Sequence, residues 1–470
     1  MCQTKAFSFI LSLALLTGCA SFQSRPLQPM QTALAFESRS LDTPELKEFL
    51  EKNLDCEVSP WPPQSWDFRM LTIAALYYHP DMDVARAKWK VAEAEVITAG
   101  GRLNPGISLL GQHHSKTAGG ISPWTWGASL DIPVETAGKR GYRIDKAKYL
   151  SEAAQLGIAA TTWRVRGRLR KSLLNLYAAT VKEHLLNDHL MIQLETERLI
   201  EKRLSVGEVS RFEATQSRLN LDKIRLLLSE MGKQKAEARA AVAESLGLQV
   251  NALDGIPISF DLFEKSPEPI NLQEIRAQAL SNRSDILIAL SEYKASQSAL
   301  QLEISRQYPD IHLGPGYEWD QGDNKWSLGF SVELPVFNRN RGPIEEAEAR
   351  RKESAARFAA LQARVIGEID RSQAAYSEAL KKLQVADALV SKEGKQLLII
   401  QSRFDAGESD RLELEEAQSE FSSSALSHFE AFVSAQENLG MLEDAVQRPL
   451  IPLEFPPPAS KINPRTGADK

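Results

Sequence analysis

Cysteine is nearly absent. Of three, Cys2 and Cys19 fall within the first 19 residues and Cys56 stands alone, so no disulfide can staple the chain beyond its leader. Cys56 reads as an inert thiol. Long hydrophobic runs are missing too: after the N-terminus no 18 consecutive apolar residues occur, which excludes a membrane-spanning helix. Basic residues are not in excess. A net charge of −6 leaves no electrostatic footprint for nucleic acid. Aromatics are only 7%, and G-x-S-x-G, H-E-x-x-H, C-x-x-C and phosphate-loop motifs are all lacking, so no enzyme chemistry is signalled. His113 and His114 are adjacent but have no further ligands at metal-site spacing, so no metal centre or cofactor is expected. What is plentiful is Ala, Leu, Glu, Gln and Arg, a composition that favours long helices.

The N-terminus reads as a processing signal. Lys5 precedes an apolar stretch from Ala6 to Leu16, too short to span a bilayer. Leu16-Thr17-Gly18-Cys19 then resembles a bacterial lipobox, in which Cys19 is lipidated and residues 1–18 are removed. An ordinary signal peptide with a chance cysteine is the alternative. Ala20 follows, so nothing resembles an inner-membrane retention signal. An exported chain with one lipid anchor either stays on a membrane surface or inserts as a β-barrel.

The chain also repeats itself with a period of about 200 residues. Asn104-Pro105 aligns with Tyr308-Pro309. Asp131-Ile132-Pro133-Val134 aligns with Glu333-Leu334-Pro335-Val336, and Lys139-Arg140-Gly141 with Asn340-Arg341-Gly342. Val206-Gly207-Glu208 aligns with Ala406-Gly407-Glu408, and Leu246-Gly247 with Leu439-Gly440. Each unit reads helix, strand, strand, long helix, second helix. The repeats are expected at 66–250 and 271–446, joined by a linker at 251–270. A lipidated extended segment (19–65) precedes them and a Pro-rich tail (447–470) without fixed structure comes after.

Within each unit the patterns are specific. Trp326, Leu328, Phe330, Val332 and Leu334 alternate with Ser327, Gly329, Ser331 and Glu333. Trp126, Ala128, Leu130 and Ile132 alternate with Thr125, Gly127, Ser129 and Asp131. A period of two means one apolar face and one polar face. Further on, Phe358, Leu361, Val365, Ile369, Tyr376, Leu380 and Leu383 step by three, four or seven, as Leu169, Leu173 and Leu176 do in the first unit. Each long helix should run about 60 to 65 residues, roughly 90–100 Å. The turns at Gly207 and Gly407 reverse the chain.

Four amphipathic strands cannot close in lipid, because their edge N–H and C=O groups would be left unsatisfied. Closure needs about eight strands or more; two copies supply eight, which side chains would fill, and three supply twelve, which leave a water-filled lumen lined by Thr125, Asp131, Ser327, Ser331 and Glu333. Trp124, Trp126, Trp319 and Trp326 would form an aromatic girdle. The competing readings are a hairpin packed on its own helices, a solid coiled coil in a structural periplasmic lipoprotein, and a lipid-anchored enzyme.

These signatures resemble the outer membrane factor (TolC-like) family of Gram-negative bacteria over about residues 66–446. The junctions Asp131-Ile132-Pro133-Val134-Glu135-Thr136-Ala137-Gly138-Lys139-Arg140 and Leu334-Pro335-Val336-Phe337-Asn338-Arg339 resemble its heavy-metal efflux branch. The resemblance implies a mainly α fold with a small membrane β part: a trimeric twelve-stranded β-barrel continued by a long α-helical barrel. It implies an outer-membrane exit duct for metal cations, with drug efflux or type I secretion as alternatives. It also implies a periplasmic adaptor and an inner-membrane pump of the RND type as partners. By position, Asp410, Glu413 and Glu416 match the family's periplasmic aperture carboxylates, where the family often has Asp. Val206, Gly207 and Glu208, with Ala406, Gly407 and Glu408, resemble its adaptor-docking tips. A solvated acidic helix start and simple helix caps are the plainer readings of the same residues.

Overall fold

The computed structural model describes residues 22–450 except 118 and 272. Cys19 and most of the Pro-rich tail lie outside the described residues. The elements are α1 (Pro29–Glu37), α2 (Pro44–Leu54), α3 (Phe68–Tyr78), α4 (Pro80–Gly100), β1 (Gly106–His113), β2 (Trp124–Val134), α5 (Lys139–Ser205), α6 (Arg211–Leu246), α7 (Asp261–Glu264), α8 (Gln273–Asn282), α9 (Ser284–Ser305), β3 (Ile311–Asp320), β4 (Asp323–Val332), α10 (Arg341–Asp405) and α11 (Arg411–Val446). Residues up to Ser40, with α1, form one unit; the unit from Leu41 onward holds every other element.

In this larger unit the dominant elements are α5 (67 residues) and α10 (65 residues), each about 100 Å long. Shorter helices pair along them, two stacked end to end against each. Asp81 of α4 meets Arg168 of α5, and Arg140 of α5 donates to the Gly100 carbonyl, so α4 runs antiparallel beside the first half of α5. Glu183 with Lys235 and Ser172 with Ser245 place α6 beside the second half. In the second repeat Asn340 reaches Glu303 of α9, and Asp387 reaches His428 of α11. Lys182–Glu430, at 2.8 Å, joins α5 to α11 across the repeats. The product is four parallel staves, two continuous and two built from stacked helices.

The seam positions explain this packing. Leu169, Leu173 and Leu176 are buried in α5, as are Val365, Ile369, Tyr376 and Leu383 in α10. The largest core lies around Leu169 and Leu173 and includes α2, α3 and the segment joining the repeats. There the structure corrects the sequence reading. Residues 41–63, expected to be extended, contain α2, whose Leu46, Phe49, Leu50 and Leu54 are buried at helical spacing. The joining segment is also structured: Leu253 and Phe263 are buried, and Trp66 pairs with it through Trp66 N–H to Pro257 O, 2.9 Å, and Ser259 N–H to Trp66 O, 2.9 Å.

The repeat register needs a second correction. α6 and α11 both span 36 residues, offset by 200, so Leu246 corresponds to Val446 and not to Leu439. Gly247 ends α6 with φ +74°, while Gly440 lies inside α11, packed against the Arg170 guanidinium. A Cβ on Gly247 would stand 2.7 Å from the Tyr78 carbonyl oxygen. Gly247→Ala therefore combines a left-handed backbone with a clash against main chain. A loss of about 2 kcal/mol is expected, read as a lower unfolding temperature of the purified protein.

The four strands form one antiparallel sheet in the order β1-β2-β3-β4, with β2 and β3 joining the two repeats. β4 ends at Val332, so Glu333 and Leu334 lie beyond the strand and outside the ladder. The outer edges of β1 and β4 have no strand partner among the described residues.

Candidate functional site: the open sheet and the hairpin tips

Register fixes the two faces of the sheet. Direct partners Leu109↔Ala128, Trp126↔Trp319, Tyr317↔Trp326 and Leu313↔Phe330 share one face. Gln112↔Thr125, Gly127↔Glu318, Glu318↔Lys325 and His312↔Ser331 share the other. The apolar face is bare: Leu109 is 82% exposed, Trp326 82%, Leu328 80% and Phe330 79%. Among the described residues it packs on no helix beyond marginal contact, which speaks against a hairpin folded onto its own helices. Trp124 and Trp126 stack at 5.5 Å, with Trp319, Tyr317 and Trp326 beside them at the same end of the strands. The four tryptophans expected to form a girdle thus lie together on the apolar face. The polar face carries Glu318, Asp320, Asp323 and Lys325 at that end. Gly and Ser fill its middle, and Asp131 with His312 stands at the helix end. Lys325 sits 2.5 Å from Asp320, which also accepts from the Thr125 hydroxyl, 2.5 Å.

The opposite end of the molecule is formed by two hairpin tips with the same turn. Gly207 (φ +82°) and Gly407 (φ +77°) take the left-handed conformation, and Glu208 N–H and Glu408 N–H reach back to the carbonyls of Arg203 and Arg403. These contacts close the helix C-termini in the manner of a Schellman motif. Val206, Gly207, Glu208, Ala406, Gly407 and Glu408 are all exposed.

The return helices are capped differently in the two repeats. Ser210 and Glu213 form a reciprocal capping box on α6. On α11 Asp410 accepts from the Glu413 N–H, 3.0 Å, and also pairs with Arg203 of the first repeat, 2.9 Å. Glu413 turns to Arg403, 3.1 Å, and to the Ser409 hydroxyl, 2.5 Å. The Glu413 amide, and then Arg203, hold the Asp410 carboxyl below its ordinary value. Of the three expected aperture carboxylates, only Glu416 is exposed with no hydrogen bond or ion pair among the described residues. The acids were legible in the sequence; their arginine partners were not identified. The signal was available, since Arg203 and Arg403 stand at the same place before each glycine turn.

A buried charge cluster gave no signal in the sequence reading. Arg166 and Arg170 of α5 meet Glu443 of α11 at 3.0 and 3.4 Å, all three almost fully buried. Arg170 also donates to the Gln436 carbonyl, 2.9 Å, and the Leu450 N–H donates to Glu443, 2.9 Å. Beside this cluster lies a cavity of about 410 Å³ whose walls include Arg164, Arg283, Glu368 and Asp444. The protein crowded around Asp444 pushes its carboxyl up to about 6. A folded-state pKa above the ordinary 3.8 means that the folded chain binds the proton more tightly. Stability should then fall as pH rises from about 4 to about 6 and level off above. Asp444→Asn is expected to raise the unfolding temperature at pH 7.5, and the gain should vanish below about pH 4.

Similarity to known proteins follows the same plan. The model of the outer membrane efflux protein family matches residues 72–248 and 275–446. The chain belongs to this family. It is a family of efflux channels and not of enzymes. The cobalt-zinc-cadmium resistance protein CzcC of Cupriavidus metallidurans is 26% identical over 222 residues, which is 47% of this chain and 52% of that protein. The solvent efflux pump outer membrane protein SrpC of Pseudomonas putida is 24% identical over 299 residues, 60% of this chain and 59% of that protein. The chain thus spans between half and two thirds of the length of these relatives. The crystal structure of CusC, described for transmembrane channel formation, shares the fold: TM-score 0.64 at 17% identity, over 81% of this chain and 91% of that one.

Proposed function

We propose that the protein is one third of an outer-membrane exit duct, a passive channel subunit serving a tripartite efflux system. Three copies would close twelve strands into a barrel with the apolar face toward lipid and the polar face toward water. Their twelve staves would continue it as a hollow tunnel across the periplasm. The observation that carries this reading is a sheet with both edges open among the described residues and an apolar face that no helix covers, with Leu109, Trp326, Leu328 and Phe330 standing out in the open. Such a sheet is unstable alone in either water or lipid, and pairing its edges with sister copies relieves both costs. Lipidation at Cys19 would anchor the chain in the outer membrane.

The tips at Val206, Gly207 and Glu208, and at Ala406, Gly407 and Glu408, would take the periplasmic adaptor, which couples the duct to an inner-membrane pump of the RND type. Asp410, Glu413 and Glu416 would ring the aperture, with Glu416 as the carboxylate free to meet a cation. Heavy-metal cations are the proposed cargo, on the junction motifs and the similarity to CzcC. The match to SrpC favours small apolar molecules as the second reading. A strain deleted for the gene separates the two. Growth sensitivity to Zn, Co, Ni, Cu or Ag salts, cured by the wild-type gene, supports metal export. Sensitivity to toluene alone supports the second reading.

A further inference from the structure

Among the polar residues of the sheet, one pair has the geometry of an oriented ligand. His312 of β3 and Asp131 of β2 come from different repeats and meet where those strands join them. His312 Nδ1 lies 2.9 Å from Asp131 Oδ1 and 3.2 Å from Oδ2. An ionised carboxylate only accepts, so Nδ1 carries the proton, and in the neutral ring the lone pair stands on Nε2. That atom has no partner among the described residues, and the His312 side chain is 42% exposed. Across the ladders Ser331 stands opposite His312 on β4 and Pro133 opposite it on β2, while Gly106 stands opposite Asp131 on β1.

We propose that His312 Nε2 is a cation-binding station on the pore wall, with Asp131 as the positioning residue that fixes the tautomer and ring orientation. The inference rests on the reading that the polar face lines the lumen. An imidazole whose second nitrogen donates to a carboxylate is the usual arrangement of a metal-ligating histidine, because the carboxylate raises the basicity of the ligand atom. The preferred cations are the borderline ones, Zn²⁺, Ni²⁺ and Co²⁺, rather than hard Mg²⁺. No group of three His, Cys, Asp or Glu able to hold a metal ion occurs among the described residues. Each station is therefore a single protein ligand completed by water. Such a site exchanges fast, and conduction needs stations that bind cations and let them go.

Contacts elsewhere set other histidines apart. His114 Nε2 bonds Thr125, His189 Nε2 bonds Ser419, and His113 lies against Trp124 on the apolar side; His428 also meets a carboxylate, Nε2 to Asp387 at 2.6 Å, but on the helices and not on the sheet.

The test is block of single-channel current by Ni²⁺ added from the barrel side, with the full-length protein in planar bilayers. His312→Gln keeps a donor for Asp131 but removes the ligand. Its half-blocking Ni²⁺ concentration should rise at least about tenfold, and Asp131→Asn should raise it about tenfold with the imidazole still present. The weak effect of Mg²⁺ should be unchanged in both. A conducting wild type whose Ni²⁺ block is absent, or is the same in His312→Gln, overturns the station and leaves the channel intact. A wild type that does not conduct overturns the channel reading itself. Should His312→Gln fail to assemble, Asp131→Asn with unaltered Ni²⁺ block is the overturning result.

Discussion

Glu443→Ala is expected to lose about 3–5 kcal/mol of stability, because it takes the shared carboxylate away from two buried guanidinium groups. Arg166 and Arg170 share this one carboxylate, and all three residues are almost completely withdrawn from solvent. Burying a charge is tolerable only when it is paired and hydrogen-bonded, so removing the anion leaves the full desolvation cost of its partners. Burial already disfavours the charged form of Arg170 in the wild type, against the pull of Glu443. The position makes the loss structural: α5 belongs to the first repeat and α11 to the second, so the cluster binds the two halves together. Glu443→Ala should give a far lower yield of assembled protein and an unfolding temperature well below wild type. Replacing Arg166, Arg170 and Glu443 together by apolar residues of similar volume should recover most of it, since a buried ion network is often no better than good packing. A single variant as stable as wild type would mean that water reaches the cluster.

The second large effect concerns the tips. Arg203→Ala combined with Arg403→Ala should open the proposed aperture, seen as a rise in open probability in bilayers. In each subunit Arg203 ties Asp410 and Arg403 ties Glu413. These pairs are solvent-exposed and worth about 0.5 kcal/mol each. In the proposed trimer six of them around the threefold axis would amount to about 3 kcal/mol, roughly a hundredfold in the ratio of open to closed states. Acid should not reproduce this. The folded pKa of Asp410 lies below its ordinary 3.8. Its contribution is therefore present above that value and lost only as pH falls through the lower, folded one. Open probability should be flat from pH 7.5 to pH 5 as far as Asp410 is concerned. High salt, which screens exposed pairs, should raise it.

Local periodicity made the strands and long helices legible, because alternation in 125–132 and the spacing from Phe358 to Leu383 encode one face each. The duplication could be read from turn residues such as Gly207 and Gly407, where the left-handed backbone restricts the choice of side chain. Less legible was whatever depends on distant partners. α2 is only 11 residues long, and its apolar face means little until α3 and the joining segment cover it. Gly440 resembled a helix end because it sits beside Leu439, as Gly247 sits beside Leu246; only the packing of Arg170 over it shows why a helix interior needs glycine there. The Arg166–Glu443 and His312–Asp131 pairs join residues 277 and 181 positions apart, and no window of sequence brings them together.

Closure of the wall around water by sister copies is tested most directly on the purified, detergent-solubilised protein. It should run as a heat-sensitive trimer, and in planar bilayers it should conduct monovalent ions in steps of uniform size. A protein that stays monomeric in detergent and passes no current, while keeping its β signal in circular dichroism, would contradict that closure.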